Sequence, residues 1–269
     1  MRNLLNESFS RLRQDLTFKV CLIIIIIIPA ILISVQKFLL TILGEVVTGI
    51  NAADDFLFSM TNMLPLFIAI SAGFFIAKDF QQNTVRNKII CGYSRTSIYM
   101  ANWITSVCVA LILHICSTIV SIVLSSVLFE PGDIFTKVNI YYSLVNIPVI
   151  ISYTSITVAI TMITRNGAGA IFSYFIHEIT MLFSMLISLI KNEALRKFLK
   201  YFIPTNQTNM IINRDYRTSL LNDLDDIEGL SRYSIPKGFD AALIPLYATI
   251  MIVVVTALGI WHFNKKDVK

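Results

Sequence analysis

Charge is the scarcest ingredient of this sequence. Only 14% of the 269 residues are Asp, Glu, Lys or Arg, against about 25% in an ordinary soluble domain. A chain so poor in solvating groups is not a soluble enzyme. Phosphate-binding machinery is missing too. No Gly-x-x-x-x-Gly-Lys-Ser/Thr stretch occurs, and Gly73, Gly92, Gly167 and Gly169 are scattered. The chain therefore has no loop of backbone amides to cradle a nucleotide. The four cysteines, Cys21, Cys91, Cys108 and Cys116, form no Cys-x-x-Cys pair, which removes the common zinc and redox motifs. No Ser–Lys or Asp pair has protease spacing.

What is present is apolar and grouped. Hydrophobic residues make up 55% of the chain, and the mean hydropathy is +0.71. Cys21 to Ile28 runs without a polar break. Blocks of roughly 20 apolar residues match a hydrocarbon core about 30 Å thick at about 1.5 Å rise per residue. Inside lipid a backbone must satisfy its own polar groups, so such blocks are helices. Six are expected: Val20–Leu43, Phe56–Ala77, Ser97–Phe129, Val138–Ile163, Ala170–Ile190 and Ala241–Phe263. The first is a retained helix and not a cleaved signal, because its apolar run is long and no small-x-small site follows. Before it, Leu5, Phe9, Leu12 and Leu16 recur at helical spacing with arginines between them. That pattern predicts an amphipathic helix lying on the membrane surface. The expected fold is an all-α integral membrane protein. It has a cytoplasmic amphipathic helix over 1–19, a six-helix transmembrane domain over 20–263 and a cytoplasmic tail over 264–269.

The net charge of +5 reads as topology and not as nucleic-acid binding. With the N-terminus inside, the inner segments hold Arg2, Arg11, Arg13, Lys19, Lys78, Arg86, Lys88, Arg95, Arg165 and the tail lysines. The two short outer loops hold Lys137 alone, beside Glu45, Asp54, Asp55, Glu130 and Asp133. Basic residues in short loops set orientation, so both termini are expected inside; the long segment 191–240 does not weigh against this. Within it, Ala194, Leu195, Phe198, Leu199 and Phe202 mark an apolar helix face that Pro204 ends. Asn206-Gln207-Thr208 has the glycosylation pattern. Asp223, Asp225, Asp226 and Glu228 lack the spacing of a calcium loop and read as a solvated turn.

The inner loop 78–96 carries the most information. A short polar helix, a turn at Gly92 and the start of the third span present charged and amide groups at the ends of two membrane helices. Docking against a soluble partner is one use, and a solvated basic connector is the other. Asp79, Thr84, Arg86, Gly92, Ser94, Arg95 and Tyr99 resemble a motif in the permease subunits of bacterial type-2 ABC exporters. There an acidic residue precedes Gly-Thr-x-Arg, then Gly or Pro, then Ser-Arg and an apolar run. Asn83 stands where that family has Gly, and Asn is the next most tolerant of a left-handed backbone. The order of six spans, both ends inside and the largest outer loop between spans five and six is also similar. The resemblance implies that Asp79, Gln82, Asn83, Thr84, Arg86, Lys88 and Arg95 dock a separate ATPase subunit, which holds ATP and Mg. It also implies a second permease copy, identical or homologous, in a bacterial plasma membrane. The cargo would be a drug, antimicrobial peptide, lipid or polysaccharide.

Ionisable residues inside spans are costly and call for a role. His114 lies in span three, and His177 and Glu178 in span five. With Thr61 and Asn62 the latter pair are candidates for a substrate path; a packed hydrogen-bonded pair is the alternative. His177-Glu178-Ile179-Thr180-Met181 begins like His-Glu-x-x-His but ends in Met181, so neither a zinc protease nor another bound metal is expected. An intramembrane enzyme using His177 and Glu178, a secondary transporter and a peptide-sensing or immunity subunit remain the rival readings.

Overall fold

The computed structural model describes residues 1–43, 62–129, 137–187, 189–212 and 243–265. Among them the chain is entirely helical. In order come α1 (Arg2–Gln14) and α2 (Leu16–Leu43). Next is α3 (Asn62–Gln81), which contains a π-helical turn at Ala69–Gly73. Then follow α4 (Thr84–Ile90), α5 (Arg95–Leu128), α6 (Lys137–Thr164) and α7 (Gly167–Ile187). The short α8 (Glu193–Phe202) and α9 (Pro204–Ile212) precede α10 (Leu243–Lys265). Five of these, α2, α3, α5, α6 and α10, are long and apolar enough to cross a membrane, and α7 adds a shorter apolar stretch, Gly167–Phe183. Their outward faces are apolar: Ile23, Ile27 and Ile31 on α2, Phe172, Phe175 and Leu182 on α7, and Val253 and Leu258 on α10 are all exposed. Such a surface suits lipid and not water, which makes this a membrane-inserting, multi-pass architecture.

Helix α6 is the hub. It touches α10, α7, α5, α3 and α9. Its buried side chains are mixed: Val149, Ile150 and Val158 beside Ser152, Thr154, Ser155, Thr157 and Thr161. Lipid tails are as apolar as leucine, so helices in a bilayer gain little from apolar burial alone. Small and hydroxyl side chains that allow close approach are the usual solution. Several of the hydroxyls return to their own helix; Thr154 Oγ1, for example, donates to the Ile150 carbonyl at 2.9 Å. One close helix contact uses Gly73 in the π-turn. A Cβ there would lie 2.6 Å from the Ala170 Cβ on α7, so α3 and α7 meet backbone to backbone.

One boundary, one helix register and one burial differ from the sequence reading. Helix α3 runs on to Gln81, four residues beyond Ala77, because Lys78 and Asp79 are ion-paired to α1 and its junction with α2; the stretch 56–61 falls outside the described residues. Helix α1 buries Leu4, Ser8 and Leu12 in the bundle and packs on α5. Its apolar face is thus turned against protein, one residue out of register with the expected stripe, while Phe9 and Leu16 are exposed. Asn206, Gln207 and Thr208 are buried, so the glycosylation pattern points into the bundle. The acidic stretch 223–228 lies outside the described residues.

Candidate functional site

Two clusters of polar side chains stand out, one at the α3–α5 end of the bundle and one in its interior. The first is the loop between α3 and α5. The chain leaves α3 through Gln82 and Asn83, and Asn83 has φ 56°, the left-handed conformation that a short polar side chain tolerates. One helical stretch follows, α4, and Gly92 at φ 88° turns the chain out of it. Ser94 caps α5, its hydroxyl accepting from the Ser97 N–H at 3.2 Å. Arg95 reaches across to the end of α10 and donates to the carbonyls of Asn264 at 3.1 Å and Phe263 at 3.4 Å. Asn264 Nδ2 in turn donates to Thr96 at 3.2 Å. A cation on the last carbonyls of a helix satisfies groups that the helix leaves open.

Beneath α4 lies an ionic network. Asp79 is fully buried and receives both terminal nitrogens of Arg11 from α1, Nη1 onto Oδ1 and Nη2 onto Oδ2, the latter at 2.9 Å. Lys88 Nζ from α4 sits 3.6 Å from Asp79 Oδ2 and 3.4 Å from Glu7 Oε1, while Glu7 is 3.3 Å from Arg11 Nε one turn away. Lys78 pairs with Asp15 and donates to Thr17 at 2.8 Å. Asp15 also accepts from the Phe18 N–H at 3.2 Å, capping α2. Burial tends to lower the basicity of Arg11. The hydrogen bond and charge of Asp79, with Glu7 adding, outweigh it and raise the arginine above its ordinary value. The bidentate fork is the strong form of the carboxylate–guanidinium pair.

This arrangement divides the seven residues expected to dock a partner. Gln82, Asn83 and Arg86 are exposed, and Thr84 is half-buried. Asp79 and Lys88 are turned inward and hold α4 to α1. Arg95 serves the end of α10. Ile90, at 73% exposure, joins the outward face. Glu7, Arg11 and Asp15 were not singled out from sequence; their spacing of four residues was the available signal.

The second cluster lies midway along α7. After α7 the chain turns back, descends through α8 and rises through α9, with Pro204 in the first position of α9, where its missing N–H costs nothing. The tip of this hairpin enters the bundle. Thr205 lies 3.1 Å from His177 Nδ1 and 2.7 Å from Thr180 Oγ1, and Thr180 donates to the His177 carbonyl at 2.7 Å. The Tyr153 hydroxyl on α6 lies 2.9 Å from Thr208, and its ring meets the His177 ring edge-on at 4.9 Å. His177 is ten residues from the end of α7, about 15 Å along the axis. The hairpin tip therefore reaches the level of the middle of α7, and a bend in the backbone so deep in an apolar bundle is tolerated only where protein covers it. Above α8, Phe198 and Tyr201 pack on Tyr247 of α10 at 6.0 Å each.

A cavity of about 120 Å³ sits at the hairpin tip. Tyr153, Thr157, Ser173, His177, Thr180 and Thr205 form its polar wall. Pro65, Phe202, Ile203 and Met251 are among the apolar residues that complete it. Of the path candidates, then, His177 lines a cavity inside the bundle. Glu178 is half-buried, beside Tyr174, and does not line that cavity. Asn62 is exposed at the start of α3, and Thr61 lies outside the described residues. His114 is buried on α5. Among the described residues no three His, Cys, Asp or Glu side chains come together as metal ligands, and all four cysteines are free.

No curated protein and no solved structure matches this chain. One family does match, over residues 20–269, which takes in every helix from α3 to α10 and nearly all of α2. The chain belongs to that family, described as protein of unknown function (DUF2705).

Proposed function

We propose that this chain is the membrane-spanning permease subunit of an ATP-driven exporter of the type-2 ABC class. In this reading α7 joins the other five as the fifth of six spans, both termini are cytoplasmic, and the membrane is the bacterial plasma membrane. Helix α1 lies along the inner surface with Phe9, Arg13 and Leu16 toward the headgroups. A separate ATPase subunit supplies the energy with its own ATP and Mg. A second permease copy, identical or homologous, completes the path for a hydrophobic or peptide-like cargo.

One observation carries the reading. Helix α4 presents Gln82, Asn83, Arg86 and Ile90 outward while Lys88 and the Asp79–Arg11 pair lock its underside to α1 and α3. An exposed isoleucine ringed by amides and a cation, on a short helix that cannot move alone, is a surface built to be pushed. A loop that merely joined two spans would need neither the buried ion network nor the exposed apolar tip.

Co-expression with candidate ATPases tests it. The detergent-solubilised wild-type chain is expected to retain a nucleotide-binding subunit on affinity purification, and Arg86→Glu to lose it. Retention by both would move the docking surface away from α4. A folded wild-type chain that captures no ATPase, including those encoded beside it, overturns the permease reading.

A further inference from the structure

The hydrogen bonds at the hairpin tip fix where the protons lie. Thr180 Oγ1 donates to the His177 carbonyl, which can only accept, so the one proton of Thr180 is committed there. Thr180 must then accept from Thr205 across their 2.7 Å contact. With that, the proton of Thr205 is committed as well. Thr205 therefore accepts from His177 Nδ1 at 3.1 Å. The neutral imidazole carries its proton on Nδ1, and Nε2 keeps a lone pair that meets no donor among the described residues. The same logic orients Tyr153. Thr208 donates to the Pro204 carbonyl at 3.2 Å, so the Tyr153 hydroxyl donates to Thr208.

The cavity thus has a definite polarity. Its walls hold no Asp, Glu, Lys or Arg, which excludes a charged guest at this depth. The hydroxyls of Tyr153, Thr180 and Thr205 are engaged in contacts of the hairpin, that of Ser173 donates to the Ala170 carbonyl, and His177 Nε2 is left as an acceptor. Its volume, about 120 Å³, is somewhat below the roughly 150 Å³ of an engineered cavity that holds benzene. Phe202, Met251 and Pro65 supply an apolar lining for the body of such a molecule.

We propose that the cavity beneath the α8–α9 hairpin is a binding site for a small uncharged molecule with an apolar body no larger than one ring and a hydroxyl or N–H group that donates to His177 Nε2. The site lies within one chain and does not depend on the permease reading. A bound guest touches both α7 and the hairpin tip, so occupancy ties the hairpin to the bundle more tightly.

The test uses the full chain in nanodiscs of uncharged lipid, with 4-fluorophenol and 4-fluorotoluene observed by fluorine NMR and empty nanodiscs subtracted for partitioning. The two probes share a ring and a fluorine, and only the phenol has a donor. Saturable line broadening is expected for the phenol, with the toluene about tenfold weaker, the factor of one hydrogen bond. His177→Leu is expected to weaken the phenol about tenfold and bring the two probes level. Equal binding of both probes to the wild-type chain overturns the proposal, as does the absence of any saturable component. Because the wild-type comparison needs no variant, the result stands even if His177→Leu fails to fold.

Discussion

One end of this bundle and its interior solve the same problem with opposite chemistry. At the inner end, three carboxylates and three cations interlock between α1, α3 and α4: Glu7, Asp15 and Asp79 with Arg11, Lys78 and Lys88. At the hairpin tip, hydroxyls and one imidazole link α6, α7 and α9 with no formal charge among the bonded groups. The inner network still has water within reach, since Arg11, Glu7 and Lys78 are 28%, 40% and 38% exposed. The desolvation cost there falls mainly on Asp79 and Lys88. The hairpin tip has no such outlet, and an ion at that depth would meet the full penalty. Charge can therefore fix a short helix at the end of the bundle, whereas a hairpin inside it is held by neutral groups whose proton directions matter.

That contrast can be attacked in order of size. The largest effect is expected from Asp79→Ala, which strands Arg11 and Lys88 around an empty site. Loss of one partner from a buried pair costs about 3 kcal/mol or more. Thermal unfolding in detergent should show it, and Asp79→Ala with Lys88→Met should lose less than the two single changes summed. Thr205→Val comes next. It removes two hydrogen bonds at the hairpin tip at about 1–2 kcal/mol, and should appear as faster amide exchange confined to α8 and α9. Tyr153→Phe removes one bond to the same hairpin and should cost about 1 kcal/mol, with exchange quickened mainly in α9. Salt separates the two networks. In 1 M NaCl, where the screening length is about 3 Å, the penalty of Glu7→Ala, whose carboxylate is 40% exposed beside Arg11, should shrink while that of Thr205→Val stays. The smallest effect belongs to Asn83→Gly, which fits the left-handed backbone at least as well. It should change stability by no more than about 0.5 kcal/mol, whereas a β-branched residue there should destabilise.

Much of this fold was legible in the sequence because it is written in long apolar runs. Helices α2, α5, α6 and α10 fall within four residues of their expected ends, since a membrane span is a run-length signal. The left-handed turn at Asn83 and the α4 helix were also legible, from turn chemistry and a polar stretch too short to fold alone. The register of α1 was not. Leu5, Phe9, Leu12 and Leu16 make a plausible stripe, but Arg11 has to meet Asp79, and that one pairing rotates the helix so that Leu4 and Ser8 go inside. The hairpin was legible only in part: the apolar face of Ala194 to Phe202 suits a helix on the outer surface or partly re-entrant, and the sequence does not choose between them. Pro204 marks a break in either case, and only the tertiary pairing of Thr205 with His177 and Thr208 with Tyr153 sends the chain back into the bundle. Local pattern sets which residues are helical; which face is covered depended on single polar contacts between distant residues.

The π-turn at Ala69–Gly73 has a bearing on all of this. A turn of this kind is an α-helix carrying one residue more than its ladder needs. It sits between the lipid-embedded part of α3 and the charged end that bears Lys78 and Asp79. Each residue of an α-helix advances the chain by about 100°. Removing a single residue here would restore a regular helix and swing Asp79 roughly a quarter-turn away from Arg11, with every side chain unaltered. The inner lever is thus phased to the bundle by one extra amino acid, and an indel at this point would reset its timing as a slipped tooth does in a gear.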